Sequence, residues 1–276
     1  MIRRIVLTLG VSLALFIGLQ HPVNAAPSWA PAASAAIHPG VQTESNAGQC
    51  TSNFVFYDSS NVIYLGSAAH CTGTGGATET DGCDSGSLPL GTQIQVEGAT
   101  RPGTLVYSSW LAMQAAGERD ENTCAFNDFA LIRLDPADFG RVNPSVPHWG
   151  GPTGINTSGA AVGSQVYSYG NSSLRGGVTT LSPKTGTVAE QVGDGWSYEV
   201  YTATPGIPGD SGSAFLDSAG RGLGVLVTLQ VAPLPGSNGV SDISHILAYL
   251  SSHSSLNVTL ANGTVSFNPS QVPVRL

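Results

Sequence analysis

Short apolar runs recur along most of this 276-residue chain and are separated by clusters of Gly, Asn, Ser and Pro. Runs of this length are typical of β-strands, and the residues between them are typical of turns. Short strands at this spacing predict an antiparallel sandwich or barrel. We therefore predict an all-β protein whose clearest strands are Asn53–Tyr57, Asn61–Leu65, Thr92–Glu97, Phe129–Leu134, Ser164–Tyr169, Gly186–Val192, Tyr198–Thr204 and Gly222–Leu229.

One stretch divides this strand-rich region. Residues 141–161 are rich in Gly and Pro and lack alternating aliphatic residues, which predicts a linker. The β units on its two sides, residues 49–140 and 162–252, each have a plausible domain size. We therefore expect two β units joined by a loop.

The end of the chain carries two further patterns. Apolar residues at i, i+3, i+4 and i+7 after Asp242 predict one amphipathic helix with that aspartate as its N-cap. In the tail, residues 253–276, alternating residues from Val258 to Phe267 surround Asn262-Gly263, which predicts a hairpin.

The first 48 residues are predicted to contain a targeting segment followed by a leader. Arg3 and Arg4 precede an apolar run that is shorter than the roughly 20 residues of a membrane span. With small residues near Ala25, residues 1–25 are interpreted as a signal peptide cleaved after Ala25, although an uncleaved anchor is the alternative. Residues 26–48, rich in Ala, Pro, Ser and Gly, are predicted to form a flexible leader or a short pro-segment. The product is expected to be secreted.

Charge and cysteine content narrow the classes of partner and cofactor. The net charge is −8, and ten scattered Lys and Arg residues form no basic stripe, which excludes a nucleic-acid binder. We also expect no stable membrane association and a monomer. An even number of cysteines in an exported chain indicates two disulfides in any of three pairings. The sequence contains no Cys-x-x-Cys pair, so the cysteines do not indicate a metal site. The cysteines are Cys50, Cys71, Cys83 and Cys124.

Three motifs carry residues capable of chemistry. His70 follows an apolar strand in Ser-Ala-Ala-His-Cys, and Asp128 opens a strongly apolar strand in Asn-Asp-Phe-Ala-Leu. Ser211 lies in Gly-Asp-Ser-Gly-Ser, where glycines permit the tight backbone that exposes a serine hydroxyl. Each motif alone also fits an ordinary structural role. Their combination is more specific, because the order His, Asp, Ser differs from that of α/β-hydrolases and subtilisins.

With these motifs in this order, the sequence resembles secreted bacterial members of the trypsin- and chymotrypsin-like serine protease family. The resemblance spans roughly residues 50–250 and implies two six-stranded antiparallel β-barrels with the active site between them. It implies that Ser211 is the nucleophile, that His70 is the general base and acid, and that Asp128 orients the histidine. No metal or organic cofactor is needed, and the partner is a protein or peptide substrate.

The resemblance also implies supporting roles. The N–H groups of Gly209 and Ser211 would form the oxyanion hole. Cys50 would pair with Cys71, which leaves Cys83 for Cys124. The carboxylate of Asp210 would need a buried cation, for which Arg175 is our candidate and Arg133 and Arg141 are alternatives.

Substrate preference is read from three positions. Trypsin-like specificity requires an aspartate where this chain has Pro205, so cleavage after Arg or Lys is not expected. Thr228 matches the strand that lines the pocket and would support Asp128 by a hydrogen bond. Gln230 would narrow the pocket, which favours a small or medium apolar side chain at the cleavage site.

Two other functions compete with an active endopeptidase. A catalytically silent protease fold would bind a partner through the same cleft without cleaving it. A lipase or esterase requires a Gly-x-Ser-x-Gly motif, but position 213 of this chain is Ser. Such an enzyme also has its catalytic histidine after the nucleophile in the sequence.

Overall fold

The computed structural model describes residues 26–76, 80–229 and 236–271, so the predicted signal peptide lies outside the described residues. These ranges form two antiparallel β units with a small helical fraction. The strands are β1 (Gln42–Ser45), β2 (Gly48–Thr51), β3 (Val55–Asp58), β4 (Ile63–Ser67), β5 (Gln93–Val96), β6 (Gly103–Ser108), β7 (Ala130–Arg133), β8 (Gln165–Tyr169), β9 (Pro183–Val192), β10 (Ser197–Thr202), β11 (Ala214–Asp217), β12 (Gly222–Leu229), β13 (Ser237–Asp242) and β14 (Val258–Leu260). The α-helices are α1 (Ser109–Ala116), α2 (Glu121–Phe126) and α3 (Ile243–His253).

The second half of the chain forms a closed six-stranded barrel in the order β10-β13-β12-β11-β8-β9. Alternate residues of a strand face opposite sides. In β10, Tyr198 and Val200 are fully buried in the barrel core, and Phe215 of β11 joins them. The predicted six-stranded second barrel is confirmed.

The first half differs from the prediction. It forms an eight-stranded antiparallel sheet in the order β14-β3-β4-β7-β6-β5-β1-β2 instead of a six-stranded barrel. The additional pairing occurs at the ends of this order, where β1 joins β2 to β5 and where β14 adds to β3. The prediction was wrong because two of these strands come from segments that we assigned to a leader and a tail.

Residues 26–48 are an integral part of the first unit, and the prediction of a flexible leader is wrong. Ile37 is fully buried, Val41 is 2% exposed, and both pack in the core of the eight-stranded sheet. The backbone of Ile37 forms a parallel bridge with Val142, whose carbonyl also accepts a 2.9 Å hydrogen bond from the amide of Ala30. A few apolar side chains therefore anchor a segment whose average composition is that of a linker.

All eight predicted strands are present with bounds that differ by a few residues. The sequence did not predict β13, whose residues Ser-Asn-Gly-Val-Ser-Asp are typical of a turn. This strand is nevertheless buried throughout, because it pairs with β10 on one side and β12 on the other. Helices α1 and α2 were also not predicted, and α2 has only six residues, too few to show a helical repeat.

The C-terminal prediction is half correct. Helix α3 is present, and Oδ1 of Asp242 accepts a 2.9 Å hydrogen bond from the amide of His245, as expected for an N-cap. The predicted hairpin over 258–267 is absent. Only β14 forms there, and the chain beyond it packs on the linker, where the amides of Thr264 and Val265 donate to the hydroxyl of Ser145. None of the helices in the described ranges has the length and apolar content needed to span a bilayer.

Candidate active site

The pairing of two strands brings His70 and Asp128 together. Ser67 at the end of β4 lies opposite Ala130 at the start of β7. His70 follows β4 in a 3₁₀ turn, and Asp128 immediately precedes β7. Antiparallel pairing therefore places residues that are far apart in the sequence at the same edge of the sheet.

Both carboxylate oxygens of Asp128 contact His70, one through the imidazole and one through the backbone amide. Nδ1 of His70 lies 2.6 Å from Oδ2 of Asp128, and the amide of His70 donates to Oδ1 over 2.9 Å. Burial alone would lower the pKa of the imidazole, but the charge and hydrogen bond of Asp128 raise that pKa above its usual 6.5. The arrangement fixes one ring nitrogen on the carboxylate and leaves Nε2 available to accept a proton.

Neighbouring residues hold both members of this pair in place. The hydroxyl of Ser109 donates to the carbonyl of Asn127 over 2.6 Å and accepts from the amide of Phe129 over 2.9 Å, so it fixes the backbone on both sides of Asp128. The disulfide between Cys50 and Cys71 closes the loop beside His70. The second disulfide joins Cys83 to Cys124, and no free cysteine remains.

Ser211 comes from the second unit and faces the same cleft. Ser211 and His70 both line a cleft of about 610 Å³ between the two units. The carbonyl of Ser211 accepts a 2.8 Å hydrogen bond from the amide of Thr51, which joins the serine loop to the first unit. Within the described residues, the Ser211 hydroxyl makes no hydrogen bond. Catalytic hydrogen bonds often tighten only when substrate is bound.

The amides of Gly209 and Ser211 are both free to bind a ligand. Neither amide donates to an acceptor in the described part of the chain, and both residues line the cleft. Gly209 has φ +93°, a conformation that glycine adopts without strain. Two backbone N–H groups beside a serine hydroxyl can bind an oxygen that becomes negatively charged.

Two cations, not one, hold the buried carboxylate of Asp210. Nη2 of Arg175 lies 2.5 Å from Oδ2, and Nζ of Lys184 lies 3.0 Å from the same oxygen. Burial opposes ionisation of Asp210, but the charges of Lys184 and Arg175 hold its pKa below the usual value. Burial lowers the pKa of Lys184 to about 8, against the attraction of Asp210.

Arg175 was predicted from the sequence as a partner of Asp210, whereas Lys184 was not. Arg175 follows β8, and Lys184 lies at the start of β9, so antiparallel pairing of these strands brings both cations near Asp210. Arg133 lies on β7 of the first unit, and Arg141 pairs with Asp138. A lysine in a polar Ser-Pro-Lys-Thr segment carries no local sign of burial, so only the fold could reveal it.

The three residues predicted to set the substrate specificity lie in different positions relative to the cleft. The carbonyl of Pro205 accepts from Nη2 of Arg175 over 3.0 Å, and Pro205 does not line the described part of the cleft. Thr228 does line it, but it forms no hydrogen bond with Asp128 among the described residues, so that part of the prediction is wrong. In β12 it is the more buried neighbour Val227 that reaches the core. Gln230 lies outside the described residues.

The clusters of potential metal ligands do not form a metal site among the described residues. The two groups of potential ligands in the described ranges are both centred on cysteine pairs, one beside His70 and one beside Asp81. Both cysteine pairs form disulfides, so they offer no thiolate to a metal ion.

The fold and the cleft together define a class of protein. Two antiparallel β units that place a His–Asp pair and a serine on one cleft have the architecture of a chymotrypsin-like serine peptidase. The chain belongs to the trypsin-like peptidase family, because the family model described as "Trypsin-like peptidase domain" matches residues 52–225. It is accordingly a hydrolase of the serine-type endopeptidase kind.

Solved structures support the same fold. Protease A of Thermobifida fusca is 17% identical with a TM-score of 0.51, over 83% of this chain and 100% of that chain. The Nocardiopsis protease is 18% identical with a TM-score of 0.50, over 81% and 98% of the two chains. A glutamic acid specific serine protease that uses a histidine triad in substrate binding is 18% identical with a TM-score of 0.50, over 82% of this chain and 100% of that chain. Comparison with curated proteins gave no match.

Proposed function

We propose that this protein is a secreted serine endopeptidase that cleaves peptide bonds through an acyl-enzyme on Ser211. The observation that carries the proposal is the contact of both Asp128 carboxylate oxygens with His70, on the cleft that Ser211 also lines. Cleavage of casein by the purified protein tests it. A folded protein that leaves casein intact would contradict it.

The geometry supports a two-step mechanism. Oγ of Ser211 attacks the substrate carbonyl while Nε2 of His70 takes its proton, and the resulting oxyanion is bound by the amides of Gly209 and Ser211. His70 then gives the proton to the leaving amine, and an acyl-enzyme remains. Water, deprotonated by the same imidazole, releases the acid product and restores Ser211. Asp128 keeps the imidazole in the required tautomer and stabilises its charged form.

Secretion is part of the proposal. The basic and apolar pattern of residues 1–25 supports export, and two disulfides are typical of an oxidising compartment. Because residues 26–48 pack in the first unit, we propose that they stay in the mature enzyme and do not act as a removable inhibitor.

The pH dependence of catalysis should report on His70. A protonated imidazole cannot act as a base, so kcat/KM should rise with pH, and the raised pKa puts the midpoint above 6.5. Asp128→Asn removes the charge that raises this pKa, so its midpoint should move to lower pH, with kcat reduced by about 10⁴-fold. A pH profile of kcat/KM measures both effects.

A second histidine–aspartate pair provides the control. Nδ1 of His245 lies 2.9 Å from Oδ1 of Asp242, and His245 does not line the described cleft. His245→Gln should leave the midpoint of the profile unchanged. An unchanged midpoint in Asp128→Asn would show that another group controls the profile.

The cleft walls favour uncharged side chains at the cleavage site. The described lining between Gly206 and Leu229 contains no charged residue, and His70 is the one histidine of the described lining. A Cβ at Gly206 would lie 2.5 Å from Cδ1 of Leu226, so the walls are in close contact there. A buried substrate charge without a partner is costly.

We therefore expect small or medium apolar residues before the cleaved bond to be preferred over Lys, Arg and Glu by about tenfold or more in kcat/KM. A series of peptide anilides that differ only at that residue measures the preference. A maximum at Glu, as for the glutamic acid specific neighbour, would contradict this part of the proposal, and so would a maximum at Lys or Arg.

A further inference from the structure

Ser172 lies behind the serine loop and contacts it twice. This residue is 3% exposed and begins the 3₁₀ turn after β8. Its hydroxyl donates a 2.6 Å hydrogen bond to the carbonyl of Pro208, and its amide donates a 3.0 Å bond to Oδ1 of Asp210. Ser172 does not line the described cleft, whereas Pro208 and Gly209 do.

The first contact determines where the Gly209 amide points. The C=O and N–H groups of a trans peptide point in opposite directions. Among the described residues the cis peptide is Gly151-Pro152, so the peptide between Pro208 and Gly209 is trans. Because Ser172 holds its carbonyl on the side away from the cleft, the Gly209 N–H is directed to the opposite side.

Glycine makes this orientation easy to lose. Gly209 can adopt positive or negative φ at similar cost, so rotation of this peptide is not prevented by its own backbone. A residue with a side chain would restrict this rotation but does not fit, since a Cβ at 209 would lie 2.5 Å from Oε1 of Gln49 and 2.9 Å from Oγ of Ser172. The orientation must therefore be fixed by hydrogen bonding to the neighbouring groups.

The two candidate oxyanion-hole peptides are held unequally. The carbonyl of Asp210, behind the Ser211 amide, accepts two hydrogen bonds from Ser213, over 2.5 Å from its hydroxyl and 3.1 Å from its amide. In the described ranges, the carbonyl of Pro208 accepts a single hydrogen bond, from Ser172. Loss of the Ser172 hydroxyl would therefore free the peptide group between Pro208 and Gly209 to rotate, but not the peptide group between Asp210 and Ser211.

We propose that Ser172 is a positioning residue that keeps the Gly209 N–H in the oxyanion hole. It does so through the Pro208 carbonyl and does not touch the substrate. This inference rests on the proposed peptidase function. It predicts a defect in the chemical step and not in substrate binding, because the oxyanion exists only in the transition state and the tetrahedral intermediate.

The test compares three variants. Ser172→Ala should lower kcat by about ten- to a hundredfold, short of the loss for a fully absent oxyanion donor, with KM changed by less than about threefold. Ser172→Cys, which keeps the volume but donates weakly, should show a similar loss and serves if the alanine variant does not fold. Ser197→Ala is the matched control, since it removes a buried hydroxyl that donates to the carbonyl of Val240 in the same barrel. Its kcat should stay at the wild-type value.

A peptide aldehyde provides an independent readout. Its hemiacetal with Ser211 places an oxygen in the oxyanion hole, so its inhibition constant should rise in Ser172→Ala by about the factor by which kcat falls. Unchanged kcat and unchanged aldehyde affinity in a folded Ser172 variant, with an active wild type, would overturn the inference. A wild-type protein without peptidase activity would instead overturn the proposed function, so the two failures are distinguishable.

Discussion

Ser211→Ala is expected to reduce kcat by about 10⁶-fold while the variant keeps the wild-type fold. The serine hydroxyl is the proposed nucleophile, and Ser211 lines the described cleft together with His70. The small change of side chain removes no hydrogen bond formed by that hydroxyl within the described residues. Initial rates on casein and on a peptide anilide measure the loss.

This variant also separates the endopeptidase from a silent binding module. Affinity for a peptide substrate should survive in Ser211→Ala while turnover is lost, because the walls of the cleft are unchanged. Thermal unfolding should give the same midpoint as the wild type, which shows that the loss is chemical. Equal turnover by the variant and the wild type would place the nucleophile elsewhere.

Asp210→Asn should have the largest effect on stability, about 3–5 kcal/mol at pH 7, because it leaves a buried charge without its partner. The side chain of Lys184 is fully buried, and that of Arg175 is 9% exposed. Urea unfolding monitored by fluorescence measures the change. The catalytic rate should fall as well, because Asp210 receives hydrogen bonds from the amides of Ser172 and Ile207 and so fixes the serine loop.

The sign of the pH dependence follows from Lys184. Without Asp210, the native pKa of this lysine should fall below about 8, while the unfolded lysine keeps an ordinary pKa near 10.5. Between these values the unfolded state binds more protons than the native state, so the stability of the variant should rise with pH. The penalty of Asp210→Asn should therefore be smaller at pH 9 than at pH 7.

Asp217→Asn is the matched control for this experiment. Asp217 is also buried in the second barrel and pairs with Arg221 over 2.7 Å, but the arginine side chain is 43% exposed. Water can solvate that arginine when its partner is lost, but the new amide group would face the donor Nδ2 of Asn156, so the cost should be about 1–2 kcal/mol, below that of Asp210→Asn. Equal penalties for the two variants would show that the double cation pair at Asp210 has no special role in stability.

The motifs of the candidate site are easier to find in the sequence than the frame around them. His70, Asp128 and Ser211 lie in short local motifs whose order is informative. The fold places His70 and Ser211 on one cleft and Asp128 in contact with His70. Lys184 and Ser172 have no such motif. Their contacts with the serine loop depend on how β8 and β9 pair, and a single sequence does not show that pairing.

The errors in the fold have a common physical cause. The strand β13 and the leader strand β1 are composed of residues that are locally compatible with loops, and tertiary pairing makes them strands. In the leader, Ile37 and Val41 contribute more to the structure than the surrounding Ala and Pro residues. Strongly apolar strands such as β7 and β12 were predicted correctly because burial on both faces leaves a continuous pattern.

Ser211, His70 and the two amides should react as one assembled site in the folded protein. Fluorophosphonate labelling, followed by mapping of the adduct by mass spectrometry, measures this. We predict a single adduct on Ser211 that forms in the native protein and is absent after heat denaturation. A folded, fully processed protein that acquires no adduct, or acquires it on a different residue, would show that this site does not carry the activity.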